Sequence, residues 1–353
     1  MERKQVCVLF GGVSPEHEVS LRSAECVLSN LDPERWNAIP VGITKDGQWL
    51  LYGSKDWSRL PDGSWQQCPE NLPAFLSPVR GQGLVVLGPE GAKSLPVDAV
   101  FPVLHGENGE DGSVQGLAQL AGLPCVGAGV GASAAAMDKT MTKLVADKVH
   151  VPQAPWYLVQ SSALAQYMDA ALDAVEARWA YPVFVKPAGT GSSVGVSKAK
   201  NRAELAQALR KAAAFDKKIL VEAFIPGREV EVAVLGNGDP VASICGEIES
   251  GVEFYDYDAK YVTDTSRAYI PARISDAAAG QVQEYAVKIY RALGCRGLSR
   301  VDFFVGDDDT VTFNEINTIP GFTSISMYPK LFEASGIPTT QLVTRLVELA
   351  LEP

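Results

Sequence analysis

The sequence predicts an α/β protein with three lobes, and three observations support this. Short apolar runs end at glycine turns and lead into helical segments, which is typical of buried strands in a parallel sheet. This alternation occurs twice, and a proline-bounded stretch at 150–156 separates the two passes. The chain has 353 residues, a length that corresponds to two or three domains. We expect lobes at 1–130, 131–225 and 226–353.

The first lobe begins with a strand. Val6–Phe10 is a continuous apolar run that ends at two glycines, and Ser14 is the predicted N-cap of the helix that follows. Residues 37–43 form the next strand, and the glycine-, tryptophan- and proline-rich stretch after it carries no clear signal. The apolar run 97–106 places His105 and several carboxylates at the carboxyl end of a strand, where α/β proteins bind ligands. A turn with a structural histidine explains the same pattern.

The rest of the chain repeats this alternation and closes with a hairpin and a helix. A long aromatic and polar loop, 251–272, interrupts the third lobe. The other predicted elements are helices at 133–149, 162–179, 201–214, 276–293 and 339–351, strands at 181–187 and 218–225, and a hairpin at 298–317.

Composition and charge exclude several classes of protein. The net charge of −11 disfavours non-specific binding to nucleic acid or to an anionic membrane. No apolar stretch approaches the roughly 18–20 residues of a membrane span. The six cysteines form no C-x-x-C pair, which favours free thiols over a zinc site or a disulfide framework. We therefore expect a cytoplasmic protein.

An acidic hairpin near the C-terminus carries the strongest signal for chemistry. Two runs alternate with a period of two around an acidic turn, which predicts paired strands. If the turn centres on Asp308 and Asp309, Asp302 lies opposite Glu315. Like charges across a ladder are destabilising, so we expect a cation between them, and oxygen ligands suit Mg²⁺. A solvent-facing hairpin with Arg300 as its counter-ion is the alternative.

A glycine-rich loop follows the strand that ends at Lys186. The loop contains three glycines and adjacent hydroxyl groups over 189–195, so its backbone N–H groups could approach phosphate oxygens closely. No Walker A pattern occurs, and a plain flexible connection remains the alternative. The G-x-G-x-x-A run at 127–132 lacks a clear preceding strand, so we interpret it as a tight turn rather than a dinucleotide site.

Together these motifs resemble the D-alanine–D-alanine ligases of the ATP-grasp superfamily. The resemblance covers nearly the whole chain and is carried by motifs at 10–20, 104–116, 137–139, 184–196, 253–261, 299–304 and 314–329. It implies an ATP-grasp fold of three α/β lobes, with an N-terminal Rossmann-like parallel sheet. It also implies that ATP is bound between the second and third lobes, and that the loop 251–272 closes as a lid.

The resemblance also implies roles for individual residues. Those at the nucleotide are Lys139 and Lys186 at the phosphates, Glu222, Ala223 and Ile225 at the adenine, Glu229 at the ribose, and Ser193 and Phe304. Those at the metal are Asp302, Glu315 and Asn317, which would hold two Mg²⁺ or Mn²⁺. At the first amino acid, Glu16 would bind the ammonium group, Ser192 and Tyr261 would be linked to Glu16, and His105 and Lys260 would lie close by. At the second amino acid, Ser326 and Met327 would lie near the carboxylate. Arg300 and Gly321 would stabilise the oxyanions that develop during the reaction.

The implied activity is the ATP-dependent joining of two D-alanines through an acyl phosphate, for peptidoglycan precursors. Ala223 departs from the family, which often has a second cation there, so only a backbone contact is expected at that position. A D-alanine–D-serine ligase is the alternative within the family, and Lys260 with Tyr261 makes D-lactate a poorer second substrate. A catalytically inactive ATP-grasp binding module is the alternative from another class, although the intact charged residues argue against it. We expect a homodimer from the resemblance alone.

Overall fold

The computed structural model describes residues 3–249 and 267–353. It contains three β-sheets, and the helices of these two ranges include none that is long and apolar enough to cross a membrane. Lys260, Tyr261 and most of the predicted lid loop lie outside the described residues.

The first sheet is parallel at its centre and antiparallel beyond it. Its strands are β1 (Lys4–Gly11), β2 (Trp36–Ile43), β3 (Trp49–Leu51), β4 (Leu72–Leu76), β5 (Leu84–Gly88), β6 (Gly91–Leu95) and β7 (Ala99–Val103), in the order β6-β5-β4-β3-β2-β1-β7. β1 pairs in parallel with both β2 and β7, as predicted. The segment without a clear signal forms β3–β6, an antiparallel extension.

β1 is buried on both of its faces. Val6, Val8 and Phe10 pack into one apolar cluster, whereas Cys7 and Leu9 pack into another on the opposite face. Successive side chains of a strand point to opposite faces, so a strand covered on both sides must be apolar throughout. This explains the unbroken apolar run in the sequence.

The helix after β1 begins later than predicted. α1 spans His17–Asn30, and its N-cap is Glu16 rather than Ser14. The Ser14 hydroxyl instead accepts a hydrogen bond from the Glu16 backbone N–H at 3.1 Å, so it shapes a turn that precedes the helix. Gly11 has a φ of +86°, and a Cβ there would lie 2.1 Å from the carbonyl oxygen of Ile43. Only glycine fits this turn, which brings Glu16 to the carboxyl end of β1.

The predicted helix 133–149 is two helices. α2 (Ser113–Ala121) precedes them, and α3 (Val130–Met137) and α4 (Lys139–Lys148) meet at Asp138. Asp138 has extended backbone angles, and its side chain accepts a hydrogen bond from the Thr140 N–H at 3.0 Å. Side-chain capping by aspartate therefore outweighs the helix propensity of the alanines on either side.

The second sheet has four strands with two helices against it. Its strands are β8 (Trp156–Gln160), β9 (Val183–Pro187), β10 (Ser197–Ala199) and β11 (Lys218–Ala223), in the order β10-β9-β11-β8. The helices α5 (Ser161–Glu176) and α6 (Arg202–Ala213) bury their apolar residues in the same cluster as β9 and β11. β9 ends directly before the glycine-rich loop.

The third sheet carries the acidic hairpin. Its strands are β12 (Arg228–Leu235), β13 (Val241–Glu249), β14 (Arg267–Tyr269), β15 (Leu298–Val305) and β16 (Val311–Asn317), in the order β14-β13-β12-β15-β16, and α7 (Asp276–Ala292) packs on it. The predicted pairing of Asp302 with Glu315 is confirmed, and Arg300 pairs with Asn317 on the same face. The register shifts after Asp302, since Phe303 pairs with Phe313. Asn314 is therefore the extra residue of a β-bulge, a feature that re-aims a side chain.

The last two helices connect the end of the chain to its beginning. α8 (Met327–Ala334) and α9 (Thr339–Leu351) bury Tyr328, Leu331 and Leu342 in the same cluster as Val6 and Phe10 of β1. The segment between β16 and α8 consequently crosses from the third sheet to the first. All six cysteines are free, as predicted.

Candidate active site

The glycine-rich loop after β9 brings the first and second sheets into contact. The Ser192 hydroxyl donates a hydrogen bond to the Glu16 carboxylate. Ser192 and Ser193 both have positive φ angles, 47° and 57°, a region that few non-glycine residues occupy and that often marks functional loops. A Cβ on Gly191 would lie 3.1 Å from Glu16. The loop therefore lies directly against the carboxylate that the resemblance assigns to the first amino acid.

Lys139 joins the same loop from the start of α4. Its backbone N–H donates to the carbonyl of Ala188 at 2.9 Å, and its ammonium donates to the carbonyl of Thr190 at 2.7 Å. The ammonium also lies 3.7 Å from the carboxylate of Glu315 on β16. Lys139 thus lies between the glycine-rich loop and the acidic hairpin.

Lys186 and Glu222 form a buried ion pair on neighbouring strands. The Lys186 ammonium lies 2.5 Å from Oε2 of Glu222 and donates to Oδ1 of Asn314, the bulge residue, at 3.2 Å. Lys143 of α4 contacts the other carboxylate oxygen, Oε1. Burial alone would raise the pKa of Glu222, but the two lysines outweigh burial and lower the pKa to about 2. Glu222 is therefore a carboxylate at neutral pH.

Arg300 binds the carboxylates of the third sheet. It donates from Nε and from Nη2 to the two oxygens of Asp302, both at 2.8 Å. Its Nε also lies 3.2 Å from Glu231 on β12. Asn317 donates to Asp302 at 3.1 Å. The paired geometry of Arg300 and Asp302 is the strong bidentate form of a charged hydrogen bond.

The loop after β7 connects the first sheet to the segment that follows β16. The two ring nitrogens of His105 lie 2.9 Å from the Ser23 hydroxyl and 3.0 Å from the Ile319 carbonyl. Burial lowers the pKa of His105, although the charge of Glu16 opposes this. Ser23 also accepts a hydrogen bond from the Phe322 N–H at 3.1 Å. His105 therefore contacts the segment that carries Gly321.

That segment also brings Gly321 and Ser326 together. A Cβ on Gly321 would lie 2.9 Å from the Ser326 hydroxyl oxygen, so the backbone and the hydroxyl are in close contact. Ser326 is the N-cap residue of α8, but its side chain makes no capping hydrogen bond. Its hydroxyl instead accepts from the Thr323 N–H at 3.0 Å. Met327, the first residue of α8, is buried against Gly246 of β13.

The remaining residues that the resemblance assigns to the nucleotide lie on the third sheet and at the end of β11. Glu229 on β12 and Phe304 on β15 are directly paired across the third sheet, and both are half-buried. Ala223 ends β11, and its N–H donates to the carbonyl of Pro155 at 3.0 Å. Ile225 follows two residues later and is also half-buried.

The hairpin supplies oxygen donors of the kind that a hard divalent cation prefers. Asp302 and Glu315 face one another across the ladder, and Asn317 lies on the same face. Over the described ranges, no group of three or more histidine, cysteine, aspartate or glutamate side chains is placed to hold a metal ion. Two carboxylates and one amide nevertheless match Mg²⁺, which usually takes one or two carboxylates from the protein and completes its shell with water and phosphate.

Sequence reasoning missed several residues that complete these contacts. Lys143 lies four residues after Lys139, so both project from one face of α4. Glu231 lies two residues after Glu229 on one strand, which likewise indicated a shared face. No sequence signal indicated the bulge at Asn314, because it depends on a partner from another sheet.

Comparison with known families identifies two matches that together span most of the chain. The family described as D-ala D-ala ligase N-terminus matches residues 5–128, and the family described as D-ala D-ala ligase C-terminus matches residues 145–348. The D-alanine–D-alanine ligase of Caldicellulosiruptor bescii is 48% identical, over 100% of this chain and 96% of the relative. That of Acetivibrio thermocellus is 47% identical, over 99% and 96%.

Solved structures of ligases are also similar to this chain. The VanG D-Ala:D-Ser ligase from Enterococcus faecalis has a TM-score of 0.90 and 38% identity, and the match covers 99% of this chain and 100% of that one. The D-alanine–D-alanine ligase from Coxiella burnetii has a TM-score of 0.85 and 35% identity, covering 99% and 95%.

Proposed function

This chain belongs to the D-alanine–D-alanine ligase family, and we infer that it joins two D-alanines into D-alanyl-D-alanine while converting ATP to ADP and phosphate. It is an ATP-dependent ligase, and its dipeptide serves peptidoglycan precursor synthesis. The observation that carries this conclusion is the hydrogen bond from Ser192 to Glu16. This bond supports the proposal, because it holds the Glu16 carboxylate against the same loop that receives the Lys139 ammonium.

The reaction has two chemical steps. The γ-phosphoryl group of ATP passes to the carboxylate of the first D-alanine, which forms an acyl phosphate and ADP. The amine of the second D-alanine then attacks the acyl carbon, and phosphate leaves the tetrahedral intermediate. The first step brings two anions together, so the protein acts mainly by positioning them and by neutralising their charge.

We assign roles to the site residues from their contacts. Glu16 binds the first ammonium, and its position is supported by the hydrogen bond from Ser192. Lys139 and Lys186 bind the phosphates, since both lie where the glycine-rich loop approaches the acidic hairpin. Arg300 and the backbone N–H of Gly321 stabilise the oxyanions that develop, because donors aimed at developing charge contribute most to such steps.

Further assignments rest on the resemblance and on position. Glu222, Ala223 and Ile225 face the adenine, Glu229 the ribose, and Ser193 and Phe304 complete the nucleotide site, while His105, Ser326 and Met327 contact the amino acids. Lys260 and Tyr261, with the lid 251–272, stay predictions because they lie outside the described residues.

We also propose that Asp302, Glu315 and Asn317 hold two Mg²⁺ or Mn²⁺. Two observations support the fit: Asp302 and Glu315 are directly paired across one ladder, and Arg300 has a second carboxylate, Glu231, within 3.2 Å. Arg300 therefore retains a partner if Asp302 binds a cation instead. Bound cations would supply neutralisation of the phosphate charge.

The decisive experiment is ADP release with D-alanine or with L-alanine, each with and without Mg²⁺. We expect release only with D-alanine and Mg²⁺, and D-alanyl-D-alanine as the product by mass spectrometry. Equal release with L-alanine, or release without any dipeptide, would refute the assignment.

D-Serine as the second substrate is the alternative activity. The likeness to the VanG D-Ala:D-Ser ligase favours testing it. Turnover of D-alanine paired with D-serine, compared with D-alanine alone at neutral pH, distinguishes them. Faster formation of D-alanyl-D-serine would replace our assignment.

We further propose a homodimer in the cytoplasm, with lobes at 1–130, 131–225 and 226–353. The dimer is expected only from the resemblance to the family, so the oligomeric state needs a direct measurement. Sedimentation equilibrium should give twice the mass of the chain, 37.7 kDa, and the mass of one chain would refute the dimer.

A further inference from the structure

A buried lysine that has no assigned role lies behind the nucleotide site. Lys143 is 1% exposed and Glu222 is 4% exposed. The Lys143 ammonium contacts Oε1 of Glu222, and the Lys186 ammonium contacts Oε2. Each oxygen of one carboxylate thus contacts a different ammonium group, one from α4 and one from β9.

This arrangement restricts what Glu222 can do. Within the described ranges, the Lys143 ammonium makes no hydrogen bond beyond its ion-pair contact with Glu222. Burying an ammonium group costs several kcal/mol unless a charge compensates it, so the contact with Glu222 is what makes Lys143 tolerable here. In return, Glu222 cannot turn both of its oxygens towards Lys186.

We propose that Lys143 is a positioning residue that holds Glu222 ready to accept a hydrogen bond from the exocyclic 6-amino group of adenine, and that it thereby sets the preference for adenine nucleotides. This inference rests on the proposed function, which places Glu222 at the base.

The hydrogen-bonding capacity of a carboxylate permits this role. An ionised carboxylate has about four acceptor positions, and the two lysines use two of them. The remaining positions can receive an amino group. A base with no amino group there leaves that acceptor without its donor, and unpaired buried polar groups are the main source of such discrimination.

The variant Lys143→Met should still fold. It replaces a buried ammonium with an apolar side chain of similar length and leaves Glu222 paired with Lys186. The three charged groups then change from a net charge of +1 to 0, so no buried charge is left without a partner. Without Lys143, however, both oxygens of Glu222 can turn towards Lys186 and away from the base.

The test is a binding cycle by calorimetry in Mg²⁺ buffer. Wild type and Lys143→Met are each titrated with ATP and with purine ribonucleoside triphosphate, which lacks the 6-amino group. A hydrogen bond to a charged group contributes enough for about tenfold or more in affinity. We expect wild type to favour ATP by about that factor, and Lys143→Met to retain less than about threefold preference.

The matched control is Lys148→Met, since Lys148 is an exposed lysine at the end of the same helix. It removes the same charge and should keep the wild-type preference. In turnover, Lys143→Met should raise the KM for ATP about tenfold while kcat and the KM for D-alanine stay within about twofold.

Equal weakening of both nucleotides by Lys143→Met, with the preference unchanged, would overturn the proposal, because it would indicate a general effect of charge. If that variant does not fold, Lys143→Gln takes its place. Equal binding of both nucleotides by wild type overturns the proposal without any variant. Calorimetry needs no turnover, so an enzyme that prefers ATP but makes no dipeptide would refute the proposed activity and leave this inference intact.

Discussion

Glu110 connects the loop after β7 to the segment after β16, and replacing it with glutamine should change how stability depends on pH. Its carboxylate accepts hydrogen bonds from the Gly106 N–H at 2.9 Å and from the Ile319 N–H at 3.2 Å. Burial, followed by the nearby charge of Glu16, raises the pKa of Glu110 from 4.5 to about 8. The two backbone hydrogen bonds and the charge of Arg300 lower this pKa, but they do not outweigh those two causes.

The direction of the effect follows from proton linkage. Between pH 4.5 and about 8 the folded protein keeps a proton that the unfolded chain has lost. The stability that this proton provides is therefore complete below pH 4.5 and is lost as the pH rises towards 8. A rise of this size corresponds to roughly 4–5 kcal/mol at about 1.4 kcal/mol per pKa unit. Unfolding measured between pH 5.5 and 8.5 covers most but not all of this interval, so about 3 kcal/mol of it should be lost there.

The assay is a titration of ¹³C-carboxyl-labelled glutamate by NMR, without substrate or metal, together with denaturant unfolding at pH 5.5 and 8.5. We expect one glutamate resonance in the wild type with a midpoint near 8, and its absence in Glu110→Gln. The variant should also lose about 3 kcal/mol less stability than wild type between the two pH values. Glutamine loses a hydrogen bond at every pH, so only the change between pH values is diagnostic. A wild type in which every glutamate titrates below pH 6, or equal changes in both proteins, would refute the reasoning.

Four other changes have expected outcomes. Asp302→Ala should abolish D-alanine-dependent phosphate release while circular dichroism stays unchanged, and retained activity would remove the metal assignment. Lys186→Ala should weaken ATP binding at least about tenfold by calorimetry, because it removes a cation held at the phosphates; unchanged affinity would contradict this. Trp65→Ala should lower the free energy of unfolding by about 3–5 kcal/mol, since Trp65 is fully buried with its ring centroid 5.0 Å from that of Phe10, and a smaller loss would show that the site collapses. Removal of divalent ions with EDTA should stop ADP formation, and Mg²⁺ should restore it.

The pairing of the acidic hairpin could be predicted from the sequence in part. Alternation with a period of two and an acidic turn predicted the pairing of Asp302 with Glu315, and the structure has that pairing. The pairs nearest the turn are nevertheless shifted by one residue from this prediction, because Val305 pairs with Val311. The bulge at Asn314 compensates for this shift. It is stabilised by Lys186 from another sheet, and alternation within one hairpin contains no information about such a partner.

Two errors in the predicted elements have local causes. β3–β6 are strands of three to five residues, too short for their alternation to stand out among tryptophan, glycine and proline. The break at Asp138 has a recognisable signal, since aspartate is a strong N-cap. The surrounding alanines and methionines, read as one helical run, hid that signal. In both places the residues that end an element determine the structure more than the apolar pattern does.

The net charge that the site offers to a ligand could not be predicted from the residue types alone, because it depends on which cations are paired with carboxylates. An acidic protein that binds a polyanion needs a local cluster of cations. The structure has these cations, but each one named here already contacts a carboxylate: Lys139 with Glu315, Lys143 and Lys186 with Glu222, and Arg300 with Asp302 and Glu231. Within the described residues, these four cations therefore face four carboxylates, and their summed charge is zero. The triphosphate of ATP needs positive charge beyond this balance, which is why we attribute the missing share to divalent ions on the hairpin rather than to the lysines alone.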